Sequence, residues 1–220
     1  MCLVVRAAAV FLVLLMGTNG WTEEFSGQGP LRVIPSDSLN TILPADTHLM
    51  MESAGIERLL ATLDEAPPDW PLVYGQGHHD PGYDDRLFAL NRERDAKRKS
   101  SPALSWRLAF AWAGELSPYR KEIGGFPVAL GPKFIETSWG MVRFKPEEAP
   151  GNLSMITDAE LREHFSRRLE NGQTVEIDVV MTGKLIPEES IMYDFSHDEA
   201  GLGLIMPVVR VEHVEFVMAP

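Results

Sequence analysis

The sequence predicts an α+β, β-rich fold: a five-stranded OB-like barrel, or a strongly curved antiparallel sheet, that follows an N-terminal helical segment. Two observations lead to this prediction. Beyond residue 104, apolar residues alternate with polar or small ones in several segments, which is typical of half-buried strands. One helical segment lies between the third and fourth of these strands, and that is the element order of an OB-type barrel. A different α+β packing of the same elements is the alternative.

The first half of the chain has helical periodicity. Residues 21–45 are rich in Gly, Pro, Ser and Asp and indicate an extended lead-in with a short strand at 31–34. A second helix is predicted to start near Asp84, whose side chain suits the N-cap position. Before it, a helix is predicted over 47–64. Its apolar residues recur at i, i+3, i+4 and i+7, at Ile56, Leu59, Leu60 and Leu63, and Pro67 and Pro68 then end it.

Five strands are predicted in the second half. They lie around residues 105–112, 126–130, 139–144, 175–181 and 208–217. The helix between the third and fourth strands begins at the T-x-x-E capping box of Thr157 and Glu160 and ends at Asn171-Gly172. In the last strand the phase of the apolar residues shifts, which predicts a β-bulge near Glu212-His213.

Residues 1–20 have the layout of a secretory signal peptide, with Arg6, an apolar run over 7–16 and a small, polar end. We therefore expect a cleaved signal and an exported protein, periplasmic or secreted; an uncleaved membrane anchor is the alternative. No later stretch approaches the roughly 20 apolar residues of a transmembrane helix. The predicted organisation is a signal peptide (1–20), an extended lead-in (21–45), a helical segment packed on the β-domain (46–100) and a barrel-like domain (101–220).

Composition argues against several classes of function. The one cysteine, Cys2, lies in the predicted signal peptide, so the mature chain has no thiol for catalysis, metal binding or a disulfide. The net charge of −12 argues against a nucleic-acid partner, because neutralising phosphates needs a basic surface. The short motifs of serine hydrolases, zincins, P-loop proteins and dinucleotide-binding folds are missing, which favours a protein that is not an enzyme.

Two polar loops contain the residues best suited to bind a metal. Imidazoles and carboxylates are ligands for zinc, nickel or manganese, provided that three or four converge. The competing and favoured interpretation of the first loop is a tight turn around Pro81-Gly82, with Asp84 capping the next helix. We expect no cofactor, with a divalent metal as the alternative. The candidate ligands are His78, His79 and Asp80 in the first loop and His197 and Asp198 in the second.

A basic cluster follows in the second predicted helix. It is the densest group of cations in an acidic chain and would suit docking to an anionic partner or membrane surface. The favoured interpretation is a solvated helix end whose cations interact with the negative end of the helix dipole. The candidate partner-binding residues are Arg92, Arg94, Lys97, Arg98 and Lys99.

The functional hypothesis is a non-enzymatic binding or interaction module of the bacterial envelope, with an unknown envelope protein or a small ligand as its partner. The alternative is a metal-dependent hydrolase that uses the loops at 78–80 and 194–198. Trp106, Trp112 and Trp139 on neighbouring predicted strands would suit a stacking platform for sugars. Their favoured role is in the core, where aromatic side chains bury large areas.

Overall fold

The structure is a computed structural model that describes residues 27–75, 80–195 and 203–220. It has an α+β, β-rich fold, as predicted, with a closed barrel and additional strands. The helices in these ranges are α1 (Ser53–Asp64), α2 (Trp70–Tyr74), α3 (Tyr83–Arg98) and α4 (Ala159–Glu170). None of them combines the length and apolar character needed to cross a bilayer. The strands are β1 (Gln28–Val33), β2 (Thr47–Leu49), β3 (Arg107–Leu116), β4 (Phe126–Gly131), β5 (Ile135–Thr137), β6 (Gly140–Val142), β7 (Lys145–Glu147), β8 (Ser154–Ile156), β9 (Glu176–Leu185), β10 (Ile191–Phe195) and β11 (Gly203–Met218).

The barrel consists of six strands in the order β1-β8-β4-β3-β9-β11, and the pairing of β1 with β11 closes it. β1 runs parallel to both neighbours, whereas the other pairs around the barrel are antiparallel. The prediction of a five-stranded OB-like barrel is therefore wrong in strand count and in type. The reason is that the sequence places the short strand expected at 31–34 in the lead-in, outside the barrel, whereas this strand forms β1, which backbone pairing with β8 and β11 holds in the barrel.

β11 pairs with five of the other ten strands that the structure describes. Over its 16 residues it pairs with β9 and β10 in antiparallel fashion and with β1, β6 and β7 in parallel. Its register against β9 shifts between Val211 and His213, which confirms the predicted β-bulge. A bulge bends a strand and increases its twist. It therefore allows one long strand to pair both with strands of the barrel and with strands outside it.

Helix α1 packs its apolar face into the core as predicted, and Ile56, Leu59, Leu60 and Leu63 are all buried. The predicted start at residue 47 is wrong, because Thr47–Leu49 forms β2 and pairs in parallel with β3. Gly55 allows the first turn of the helix to approach this strand, since a Cβ at that position would lie 2.5 Å from the carbonyl oxygen of Leu49. Pairing with β3 therefore overrides the helical pattern at 47–49.

Helix α4 has the predicted extent but a different cap. Its N-cap is Asp158, whose carboxylate accepts a hydrogen bond of 2.9 Å from the backbone N–H of Leu161. The expected capping box on Thr157 is wrong, because a carboxylate one residue later satisfies the free N–H of the first turn. At the other end, Asn171 is the C-cap and Gly172 has a φ of +73°, which is the predicted left-handed stop.

Helix α2 docks onto the start of β11 through Trp70. Its indole Nε1 donates a hydrogen bond of 2.6 Å to the carbonyl oxygen of Trp139, and both tryptophans are buried. The indole occupies the space beside Gly203, where a Cβ would lie only 2.0 Å from the ring atoms. Any side chain at position 203 would therefore displace α2 from the barrel.

The free edge of β10 is covered by side chains of α3. The carboxamide of Asn91 accepts from the backbone N–H of Tyr193 at 2.8 Å and donates to the carbonyl oxygen of the same residue at 2.9 Å. Arg98 donates to the carbonyl oxygen of Ile191 at 3.0 Å. These bonds replace those that a neighbouring strand would make, so α3 satisfies the edge of β10.

Candidate functional site

Four of the five predicted metal ligands, His78, His79, His197 and Asp198, lie outside the described residues. The fifth, Asp80, pairs with Arg86 at 2.9 Å and accepts a hydrogen bond from the backbone N–H of Gly82 at 3.0 Å. These contacts form the turn before α3, as the favoured interpretation expected, although the helix begins at Tyr83 with Gly82 as its N-cap. Across the ranges that the structure describes, no three His, Cys, Asp or Glu side chains are grouped so that they could hold a metal.

The described residues that flank the two loops pack against each other. The ring of Phe195, at the end of β10, lies 4.4 Å from the ring of Tyr74 and 4.8 Å from that of Tyr83, measured between centroids. Tyr74 ends α2 before the first histidine loop, and Tyr83 begins α3 after it. Described residues on the flanks of the two loops are therefore in contact, while the idea that the loops share a metal stays a prediction.

The five residues of the basic cluster do not lie on one surface. Arg98 is only 1% exposed, and its guanidinium bonds both carboxylate oxygens of the equally buried Asp64, at 2.6 and 2.7 Å. Arg94 also faces inward and donates to the hydroxyl of Tyr193 at 3.1 Å. The exposed members are Arg92, Lys97 and Lys99, of which Lys97 pairs with Glu93 on the same helix. That these three bind a partner stays a prediction.

Asp64, Arg94, Arg98 and Tyr193 form a buried network, called the Asp64 network below, that joins α1, α3 and β10. Burial raises the pKa of the Tyr193 hydroxyl, and the charge of Asp64 raises it further, so the hydroxyl keeps its proton and donates a hydrogen bond to Asp64. Burial opposes the charge on Arg98, but its bonds to Asp64 outweigh burial and raise the pKa of the guanidinium. The network is saturated by its own members, which indicates a structural role.

A cleft of about 980 Å³ lies on the outer face of β3, β9 and β11. We call it the outer cleft. One wall is formed by β2 and the start of α1, and the other by the connection from β4 to β5. Its floor is apolar, with Ala111, Val180 and Val217 from the three barrel strands. Further lining residues include Leu39, Asn40, Thr47, His48, Met50, Met51, Glu52, Ala54, Arg58, Trp106, Lys133, Phe134, Ile135 and Asp178.

The walls of the outer cleft present an aromatic pair and charges of both signs. The imidazole of His48 stacks on the indole of Trp106, with 4.2 Å between ring centroids and 11° between ring planes. Lys133 forms an ion pair with Asp178 across the barrel surface, and both side chains are about two-fifths exposed. Because exposed ion pairs contribute little to stability, this pair is available to exchange partners with a polar ligand.

The floor of the outer cleft contains an unpaired stretch of strand edge at Ala111. On one side of this stretch, the backbone N–H of Met50, which follows β2, donates to the carbonyl oxygen of Ala109 at 2.8 Å. On the other side, the N–H of Ser117, which follows β3, donates to the carbonyl oxygen of Pro127 in β4 at 2.8 Å. Alternate residues of a strand direct their N–H and C=O groups to the same edge, so those of Ala111 point the same way as those of Ala109.

No strand pairs with Ala111 along that edge within the described chain. The pairing of β2 with β3 ends at Leu49 and Ala109, and the pairing of β4 begins at Ala113 and Gly131. Ala111 lies in the gap between them, and its side chain forms part of the cleft floor. We call this the open edge of β3. It presents one hydrogen-bond donor and one acceptor on the apolar floor of a cleft whose walls contain charged side chains.

Sequence patterns did not identify these residues. His48 lies in a segment predicted as helix. Trp106 packs against the core, as its favoured role expected, but it also stacks on His48 at the cleft. Of the other two strand tryptophans, Trp139 is buried as expected, and Trp112 donates to the carbonyl oxygen of Phe144 at 3.0 Å. The one signal that could have indicated the cleft is the run of alanines at 109, 111 and 113, which leaves the outer face of β3 without large side chains.

The outer cleft thus combines an apolar floor, the stacked His48 and Trp106, the exposed Lys133–Asp178 ion pair and a backbone donor and acceptor that no described strand pairs. These features suit the binding of a small molecule, because ligand pockets of about 300–1,000 Å³ are mostly apolar with a few fixed polar groups. Comparison of the chain with protein-family models, with curated proteins and with solved structures finds no match. The site is therefore identified by its own geometry.

Proposed function

We propose that the protein is a non-enzymatic binding module that holds a small ligand in the outer cleft. The observation that carries the proposal is the open edge of β3, a backbone donor and acceptor that no described strand pairs, on the apolar floor of a cleft of about 980 Å³. The apolar side chains around these backbone groups cannot form hydrogen bonds with them. A ligand that supplies an acceptor and a donor would therefore be bound favourably.

Binding is favoured over catalysis by the way the polar groups of the cleft are engaged. Acyl and phosphoryl transfer through a side chain need a nucleophile next to a base that is itself oriented. Among the described residues of the cleft, His48 stacks on Trp106, and Lys133 is paired with Asp178. Neither arrangement sets a base beside a hydroxyl nucleophile, so recognition is the better use of this site.

The proposal is tested by filling the cleft. Ala54 is exposed on the first turn of α1 and lines the cleft, so Ala54→Trp should occupy it without disturbing the core. Ala61→Trp is the matched control, because Ala61 is exposed on the same helix and does not line the cleft. In a thermal-shift screen of a small-molecule library, we expect compounds that raise the Tm of the wild type and of Ala61→Trp but not of Ala54→Trp. Compounds that act equally on all three proteins, or no active compounds, would contradict the proposal.

We further propose that this module acts in the bacterial envelope, after export and removal of residues 1–20. The support is the charged, apolar and small-residue order of that segment. Expression in a bacterium followed by cell fractionation and N-terminal sequencing tests it. A mature protein in the periplasm or medium that begins near Trp21 is expected, and retention of Met1 on protein in the cytoplasm would refute it.

A second candidate function is a metal-dependent hydrolase that uses the loops at 78–80 and 194–198. The observation that favours it is the packing of Phe195 against Tyr74 and Tyr83, which brings the flanks of both loops together. Metal analysis of the purified protein, repeated on His79→Ala and His197→Ala, tests it. One equivalent of metal that both substitutions remove would support this function, whereas substoichiometric metal that neither changes would exclude it.

A further inference from the structure

We infer that the ligand of the outer cleft carries a neutral planar amide, a primary carboxamide or a lactam, that pairs with the backbone N–H and C=O of Ala111. This inference rests on the proposed function and specifies the chemical class of the ligand. It starts from the open edge of β3, where one residue presents a donor and an acceptor side by side.

Among common ligand groups, only a group with both a donor and an acceptor in one plane satisfies Ala111 completely. A carboxylate offers acceptors alone, so it would bond the N–H but place negative charge beside the carbonyl oxygen of Ala111. An ammonium group offers donors alone and leaves the N–H without a partner. A carboxamide or lactam with its N–H and C=O on the same side bonds both groups at once.

The protein itself uses this pairing on another strand edge. The carboxamide of Asn91 accepts from the backbone N–H of Tyr193 and donates to its carbonyl oxygen, at 2.8 and 2.9 Å. Tyr193 and Ala111 are thus equivalent backbone positions, each at an edge with no neighbouring strand. At Tyr193 the carboxamide belongs to α3, and at Ala111 we expect it to belong to the ligand.

The size of the gap favours a small molecule over an inserted peptide strand. Ala109, the last residue paired with β2, and Ala113, the first paired with β4, are four positions apart along the strand, or about 13 Å. An added strand needs several consecutive residues of free edge for its own hydrogen bonds, whereas Ala111 is the single residue that faces this gap. One amide group fits that single position, and the apolar floor at Val180 and Val217 suits the remainder of the ligand.

Three related probes test the inference on the wild-type protein. Benzamide has the donor and the acceptor, N,N-dimethylbenzamide has no N–H, and benzoate has no donor and carries a charge. In ¹H–¹⁵N NMR titrations, benzamide should shift the Ala111 amide resonance and those of neighbouring cleft residues. The other two probes should bind the cleft roughly three- to tenfold more weakly, the effect of one lost hydrogen bond. Equal affinity for the three probes, or shifts located elsewhere, would overturn the inference.

A backbone variant provides a second test. Ala111→Pro removes the N–H that no strand of the barrel uses, and proline is accepted at strand positions whose N–H is free. We expect benzamide to bind this variant no better than N,N-dimethylbenzamide binds the wild type. Unchanged affinity for benzamide in a folded variant would refute the pairing. If the variant does not fold, the comparison of the three probes on the wild type tests the pairing by itself.

The outcomes separate this inference from the proposed function. If all three probes shift cleft resonances with equal affinity, the amide specificity is wrong and ligand binding in the cleft stands. If no probe shifts them, the amide inference is overturned, and the Ala54→Trp screen independently decides whether the cleft binds other small molecules.

Discussion

Among the described strands, the edge of β10 and the edge of β3 at Ala111 both lack a neighbouring strand, but their backbone groups are bonded differently. At β10, the carboxamide of Asn91 and the guanidinium of Arg98 bond the free backbone groups, and Tyr193 is only 2% exposed. At β3, the gap between β2 and β4 leaves Ala111 without a strand partner on the floor of the outer cleft. An edge closed by the protein's own side chains stabilises the fold, whereas an open edge on the floor of a cleft is suited to ligand recognition.

The two regions also differ in how much stability depends on each polar group. In the Asp64 network every charge is removed from water and bonded, so the loss of one partner leaves another charge buried and unpaired. In the outer cleft the polar groups are partly exposed or already without partners, so their removal should cost little. The following predictions test this contrast, beginning with the largest expected effect.

Asp64→Asn should be the most damaging of these substitutions. It removes the negative charge that the buried guanidinium of Arg98 bonds twice, and we expect the free energy of unfolding to fall by about 3–5 kcal/mol. Urea denaturation followed by tryptophan fluorescence measures it. The control is Asp95→Asn, which removes a carboxylate that contacts the same guanidinium but is 40% exposed, and it should cost at most about 1 kcal/mol. Similar losses for both variants would contradict the contrast.

Asn91→Ala should open the edge of β10. The backbone N–H and C=O of Tyr193 would lose their partners in a buried position, so we expect a loss of about 1–3 kcal/mol in the free energy of unfolding. Hydrogen exchange of the Tyr193 amide should also become faster. Asn152→Ala, at an exposed asparagine outside both regions, should change neither quantity. Protection of the Tyr193 amide that survives in Asn91→Ala would show that the carboxamide does not close this edge.

Stability should fall as the pH rises above about 10, the ordinary pKa of tyrosine. Burial raises the pKa of Tyr193 in the folded state, so between its unfolded and folded pKa values the folded chain keeps a proton that the unfolded chain loses. This contribution is complete below pH 10 and declines by at most about 1.4 kcal/mol per pH unit above it. In Tyr193→Phe the decline should be shallower when denaturation is measured from pH 7 to 11. Parallel curves for the two proteins would exclude this effect of Tyr193.

Thr47→Val should have the smallest effect. The Oγ1 atom of Thr47 is buried in the cleft wall, and no described residue bonds it. Its replacement by a methyl group should therefore leave stability unchanged or raise it by up to about 1 kcal/mol. Thr137→Val is the matched control, because that hydroxyl donates to the carbonyl oxygen of Gly140 at 2.7 Å, and its loss should cost about 1 kcal/mol. An equal cost for both would mean that the Thr47 hydroxyl is bonded in solution.

Much of the local structure could be predicted from the sequence, because it depends on neighbouring residues. The apolar spacing of Ile56, Leu59, Leu60 and Leu63 identified the buried face of α1, and Asn171-Gly172 identified the end of α4. The candidate site could not be predicted in the same way. His48 and Trp106 belong to different elements and meet only after β2 pairs with β3. Arg98 resembles any solvated lysine or arginine in the basic run until α3 packs over Asp64.

The sequence by itself determined the β-rich class, the apolar face of α1, the C-terminal ends of α1 and α4 and the bulge in β11, because side-chain periodicity and helix termination are local properties. Only the tertiary structure decided that β1 closes a six-stranded mixed barrel, that α3 closes the edge of β10, and that the edge of β3 stays open at Ala111. The physical reason is that these outcomes depend on backbone hydrogen bonds between distant segments. Every residue carries the same N–H and C=O groups, so the sequence alone does not record which of them find a partner.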